Sequence, residues 1–181
     1  IDMIYSEKTL SRKVVYEGTI FNVEKLTVEL PNGHIASRDI IRNPGAAVII
    51  PIIDDCIVLV EQFRKAAEKT FIELPAGKLE YGEDPMDCAE RELKEETGYS
   101  AKKIEKVLTI YPAPAFADEV LHIYLATGLE KGEATPDEDE FISARTYKLE
   151  EALDMIDRGI INDSKTVAGI LFASRLLSKN K

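Results

Sequence analysis

The two runs "AAVIIPI" at 46–52 and "CIVLVEQF" at 56–63 constrain this chain more than any other stretch. Short, continuous apolar runs rich in Val and Ile read as buried-type strands, and Asp54-Asp55 between them supplies a turn. A core sheet therefore starts at residue 46. A shorter strand, "TFIEL", follows and is stopped by Pro75 and Gly77. Upstream, "KVVYEGTI" and "FNVEKLTVELPNGHIASRDII" place apolar residues largely at alternate positions, and Asn32-Gly33 marks a hairpin turn. The first 45 or so residues read as an antiparallel strand region.

Helices enter after the core strands. Asp84-Pro85 reads as an N-cap with proline at the first helical position, and Gly98 as the residue that ends the helix. Strand patterns return at "IEKVLTIY", "VLHIYLAT" and "FISARTYK", and helices are predicted at "LEEALDMIDR" and "DSKTVAGILFASRLLSK". In the last of these, Val167, Ile170, Leu171 and Leu177 are expected to share a packing face. Strands mixed with helices imply α/β or α+β layers.

With 181 residues, 45% of them hydrophobic, the chain suits one domain around one sizeable core. Its charge of −10, from 33 acidic and 23 basic residues without a basic run, argues against polymeric nucleic acid as a partner. Cys56 and Cys88 have neither a disulfide-framework count nor metal-ligand spacing, and read as reduced packing residues. The longest apolar run, "AAVIIPII", is far too short to span a bilayer, and "IDMIYSEKTL" lacks a signal-peptide core. The expectation is a cytoplasmic protein without membrane contact.

The predicted helix carries an electrostatic puzzle in "RELKEETGY". At about 100° per residue, Glu92, Glu95 and Glu96 share an arc of roughly 100°, which costs a helix a few tenths of a kcal/mol per like-charged pair. Met86, Leu93 and Thr97 lie on another arc, expected to be a separate packing stripe. Either the acidic arc is a solvated face, or it holds a hard cation such as Mg²⁺, which prefers oxygen ligands and shares them with substrate phosphates.

The wider context, "GKLEYGEDPMDCAERELKEETGY" at 77–99, resembles the signature of the Nudix hydrolases. Every fixed position is met by Gly77, Glu83, Arg91, Glu92, Leu93, Glu95, Glu96 and Gly98, with Tyr99 in the final apolar slot. The resemblance implies a loop–helix–loop docked on a mixed sheet in an α/β/α sandwich, and hydrolysis of a nucleoside diphosphate linked to another moiety. It also implies that Glu92, Glu95 and Glu96 bind Mg²⁺ or Mn²⁺, more than one ion per site, with the Ala76 carbonyl a further candidate ligand. Arg91 would pair with Glu83, and Gly77 would let the backbone approach the metal.

Beyond the box, the chain resembles the ADP-ribose pyrophosphatase branch. Pro114 lies 16 residues past Gly98, "VEQFRKA" resembles the branch's arginine-ending strand, and "SRDIIRNPGAAV" its arginine-bearing segment before the core. Arg64 and Arg38 would then contact the diphosphate or the adjoining ribose. Glu119 would contact the distal ribose, although Ala113-Pro114-Ala115 replaces the branch's usual Ser-Pro-Gly. Losing that glycine disfavours a positive-φ loop, and losing the serine removes a hydroxyl donor.

In-line attack on phosphorus needs a base for water, and the acidic loop "PDEDEF" supplies Glu138 and Glu140. Glu138 aligns with the base and Glu140 with a further metal ligand, with the two roles exchangeable by a register shift. The branch resemblance also implies a homodimer with exchanged amino-terminal strands. His34 and His122 read as structural, and Tyr5, Tyr16 and Phe21 as packing residues or stackers on adenine. The resemblance implies ADP-ribose hydrolysis, with hydrolysis of an ADP-hexose or GDP-mannose, or a non-catalytic nucleotide sensor, as the alternatives.

Overall fold

A computed structural model of the chain describes residues 5–80, 82–136 and 140–179. Two compact units emerge: the chain up to Gly45 with Tyr111–Val120, and Ala46–Ile110 with the chain from Leu121 onward. Among the described residues no helix is long and apolar enough to cross a membrane.

The first unit is an antiparallel sheet of β1 (Lys8–Glu17), β2 (Asn22–Glu29) and β3 (Ile35–Arg42), in that order. Gly33, at φ 82°, occupies the left-handed position of the β2–β3 turn, where the Leu30 amide donates to the His34 carbonyl at 2.8 Å. Leu26 and Val28 alternate onto the buried face, whereas every residue of β1 is exposed. Tyr16 and Phe21 pack on each other, their ring centroids 5.8 Å apart. The 111–120 segment joins this unit through Ile41, whose amide donates to the Phe116 carbonyl at 2.7 Å, and through Arg42, which bridges Glu24 and Asp118.

The second unit contains β4 (Ala46–Ile53), β5 (Cys56–Arg64), β6 (Lys69–Glu73), β7 (Ala76–Lys78), α1 (Pro85–Thr97), β8 (Tyr99–Ile110), β9 (Leu121–Lys131), β10 (Ile142–Lys148), α2 (Leu149–Asp157) and α3 (Ser164–Lys179). The sheet runs β10-β5-β4-β9-β8, with β6 on β5 and β7 on β4. β4 and β9 are parallel and the other pairs antiparallel, so the sheet is mixed. Val48, Ile50 and Ile52 of β4 pack in one cluster with Ala152, Ile170 and Ala173 of α2 and α3. Ala47 and Ile49 pack in another with Cys88, Ala89 and Leu93 of α1. Period-two alternation thus gives a strand covered on both faces, and the second unit is an α/β/α sandwich. Each buried Ile or Leu contributes about 1.5–3 kcal/mol by leaving water.

Three details depart from the sequence reading. β7 is a separate short strand after Pro75, and β8 begins at Tyr99, directly after Gly98, rather than at Ile104. The early part of β8 has only Tyr99 and Ala101 as weak inward signals among lysines, and pairing with β9 carries it. Leu171 does not share the packing face of α3: it is 51% exposed, while Thr166, Ile170 and Ala173 are buried. It follows Ile170 by about 100° around the helix, which turns it off the buried arc.

Candidate functional site

The β4–β5 ladder consists of only two pairs, Ile52↔Ile57 and Ile53↔Cys56, beginning just after Pro51, which has no N–H to give. Towards the other end of the two strands, β5 pairs with β6 while β4 pairs with β7, and the Ile49 amide donates to the Pro75 carbonyl at 2.9 Å. The strip 73–78 therefore crosses from one strand to the other. That crossing carries Ala76 and Gly77 to the helix bearing the acidic arc.

α1 is held at both ends as its sequence requires. Asp84 accepts from the Met86 amide at 2.8 Å, and Gly98, at φ 74°, donates its amide to the Lys94 carbonyl. The expected separation between acidic arc and packing stripe is not found: Glu92 and Glu96 are themselves buried, at 8% and 4% exposure, between Cys88, Ala89, Leu93 and Thr97. The carboxylates lie inside the packing arc because the 73–78 strip covers that side of the helix. At Gly77 an added Cβ would sit 1.7 Å from Glu92 Oε1, so only glycine lets the strip pass.

Glu96 Oε2 accepts from the Ala76 amide at 3.0 Å. Burial pushes the Glu96 carboxyl up to about 8, and the neighbouring charges of Glu92 and Glu140 push the same way, against the Ala76 amide and Arg64. Burial also raises Glu92, opposed by Arg91. The Arg91 guanidinium donates through Nε to Glu83 at 3.0 Å, and through Nη1 to Glu92 at 2.6 Å and Glu95 at 2.9 Å. Among the described residues, no three acidic, histidine or cysteine side chains already converge as a closed cation cage. The donor set nevertheless fits a hard divalent cation: it is all oxygen, and its two buried carboxylates lie near enough for the charge of Glu92 to oppose ionisation of Glu96.

The arginines fall in different units. Arg64, ending β5, forms a two-pronged pair with Glu73, Nε to Oε1 and Nη2 to Oε2, both at 2.8 Å. Arg38, on β3 of the first unit, donates through Nε to Glu7 at 3.0 Å. Pro114 and Glu119 are also in the first unit. There the Ala113 carbonyl accepts from the Phe116 and Ala117 amides, and Ala115 is not in the left-handed region, so this turn forms without glycine. Glu140 lies close enough to Glu92 and Glu96 for its charge to raise both; Glu138 lies outside the described residues.

Sequence reasoning missed Glu73. It is 2% exposed, and besides Arg64 it accepts from Lys165 at the start of α3. The signal was a charged residue two positions after Phe71 in a short strand, on the β5–β6 face shared with Arg64. The remaining titratable candidates are quiet. Cys88 is buried, its thiol pushed up to about 12, and His122 Nδ1 lies 2.9 Å from Lys106 Nζ, with burial and then that lysine lowering its pKa.

The chain has counterparts among known proteins. A profile of the NUDIX domain matches residues 43–168, and a profile of the nucleoside diphosphate sugar hydrolase N-terminal domain matches residues 7–44. The chain belongs to the Nudix family. Among its relatives, a methanol dehydrogenase activator of Bacillus methanolicus is 45% identical over 172 residues, covering 93% of each chain. An ADP-ribose pyrophosphatase of Bacillus subtilis is 43% identical over 171 residues, covering 92% of this chain and 91% of the other. A solved structure of an ADP compounds hydrolase shares the Nudix fold, with a TM-score of 0.86 at 23% identity over 97% of this chain and 96% of that one.

Proposed function

We propose that this Nudix protein hydrolyses the diphosphate bond of ADP-ribose to AMP and ribose 5-phosphate with Mg²⁺ or Mn²⁺. The observation that carries the reading is the buried, cation-fitting pair Glu92 and Glu96 against Gly77, on a chain 43% identical to an ADP-ribose pyrophosphatase. Glu92, Glu95, Glu96, Glu140 and the Ala76 carbonyl would hold the ions, more than one per site. When bound, the cation supplies charge neutralisation on the diphosphate oxygens.

In this reading a water oxygen bonds to one phosphorus, the bridging P–O bond breaks, and Glu138 or Glu140 accepts the water's proton. Arg64 and Arg38 would contact the diphosphate or the adjoining ribose, Arg64 through the Nη1 left outside its pair with Glu73, while Pro114 takes part in substrate binding and Glu119 contacts the distal ribose. Arg91 and Glu83 hold the loop to the helix. The amino-terminal region to residue 45 serves dimerisation and the substrate pocket, with strands exchanged between two copies, and the protein works in the cytoplasm on a small molecule.

A GDP-mannose pyrophosphatase of Cronobacter sakazakii is 34% identical over 136 residues, which motivates a second substrate reading on the same machinery. The deciding experiment compares ADP-ribose, ADP-glucose and GDP-mannose at saturating Mg²⁺, following nucleotide release by chromatography. ADP-ribose is expected to lead in kcat/KM by at least about tenfold. A wild-type protein that leaves ADP-ribose intact would remove this reading.

A further inference from the structure

We infer that Lys165 is a positioning residue for substrate binding: from the start of α3 it fixes the buried Glu73 carboxylate, and Glu73 in turn sets the plane of the Arg64 guanidinium. This rests on the reading above that Arg64 contacts the diphosphate. It extends that reading to α3, whose residues have no part in the Nudix box.

The geometry forms a continuous chain of bonds. Arg64 gives Nε and Nη2 to the two oxygens of Glu73, which leaves Nη1 outside that pair on a side chain 43% exposed. Glu73 Oε2 also accepts from Lys165 Nζ, and Lys165 donates to Asp163 Oδ2 at 2.9 Å. Asp163 Oδ2 in turn accepts from the Thr166 hydroxyl at 2.6 Å and amide at 3.1 Å, anchoring the first turn of α3. Thr166 Oγ1 accepts from the Leu74 amide at 2.9 Å, so the network closes on the residue after Glu73. Two residues further on, the Ala76 amide binds Glu96. One strip of backbone thus carries the arginine's anchor at one end and a cation-site carboxylate at the other.

The charges explain why both cations are needed. Burial opposes ionisation of Glu73, and the hydrogen bonds and charges of Arg64 and Lys165 overcome it and hold the carboxyl below the usual carboxylate range. Without Lys165 the two parallel bonds between Arg64 and Glu73 remain, but the buried carboxylate loses its second cation and its tie to α3, so the pair as a unit is no longer fixed in place. Lys165 is itself only 12% exposed at its side chain and is bound by two carboxylates, so it acts through Glu73 rather than on substrate.

The test is a double-mutant cycle between Lys165→Met and Arg64→Ala, read as KM and kcat for ADP-ribose and as the Kd of ADP-ribose by calorimetry without divalent metal. Lys165→Met is expected to raise KM and Kd about tenfold with kcat within about threefold, and to add almost nothing in the Arg64→Ala background. Lys165→Arg is expected to restore KM. Lys165→Gln, which keeps an N–H donor but not the charge, serves if the methionine variant does not fold, with a rise of the same kind. Additive effects in the cycle, or a fall in kcat with KM unchanged, would overturn the positioning role while leaving the proposed reaction standing. If Arg64→Ala alone leaves KM and Kd unchanged, both the arginine's substrate role and this inference fall; if wild-type protein neither binds nor cleaves ADP-ribose, the reaction reading falls with them.

Discussion

Glu96 sits where ionisation is costly until something cationic arrives. Its folded pKa of about 8 lies above the ordinary carboxyl value of 4.5, so its protonated form stabilises the metal-free fold. That contribution is complete below about pH 4.5 and is lost as pH rises through about 8. A bound cation replaces the proton, so the rise in Tm produced by Mg²⁺ should grow between pH 6 and pH 9, by several degrees in differential scanning calorimetry. Glu96→Gln should remove most of that increment, raise the metal-free Tm at pH 9, and lower turnover by about three orders of magnitude. A magnesium response in the variant equal to that of wild type would detach Glu96 from the cation. The neighbouring Arg91 shows the same physics: its guanidinium supplies the positive charge that Glu83, Glu92 and Glu95 share.

α1 illustrates how far an element can be read before folding. Its start at Pro85 and its end at Thr97 follow from Asp84, Pro85 and Gly98, all of which act locally. Asp84→Ala removes the oxygen that satisfies the Met86 amide and should cost about 1 kcal/mol in urea unfolding. Little loss there would mean that tertiary packing alone holds the first turn. The burial of the helix face was not local information. Spacing placed three glutamates on one arc, but the chain segment that covers them, Ala76-Gly77, is ordered by pairing with β4 and by the neighbouring Leu74–Thr166 bond to α3. The role of Glu73 was hidden for the same reason, since its partner Lys165 comes from α3, 92 residues away in the chain.

At the scale of the whole molecule, β1 exposes all ten of its residues, among them Leu10, Val14, Val15 and Tyr16, each near half exposure. Apolar side chains gathered on one exposed strand suit the association with a second copy proposed above. Sedimentation should therefore give a dimer, and Val14→Lys with Tyr16→Lys should shift it towards monomer with a rise in KM for ADP-ribose. A wild-type monomer at micromolar concentration would remove the proposed exchange of amino-terminal strands between two copies.

The sequence by itself determined the mixed strand and helix order, the caps of α1, the hairpin turns at Gly33 and Asp54-Asp55, and the acidic arc on α1. These depend on neighbours a few residues apart, through dihedral preference, side-chain period and capping. Only the tertiary structure decided that Glu92 and Glu96 are buried, that Gly77 leaves no room for a side chain, and that Arg64 is anchored through Glu73 to α3. Burial and charge pairing depend on which distant segments meet, and the spacing of residues along one strand or helix carries no record of that.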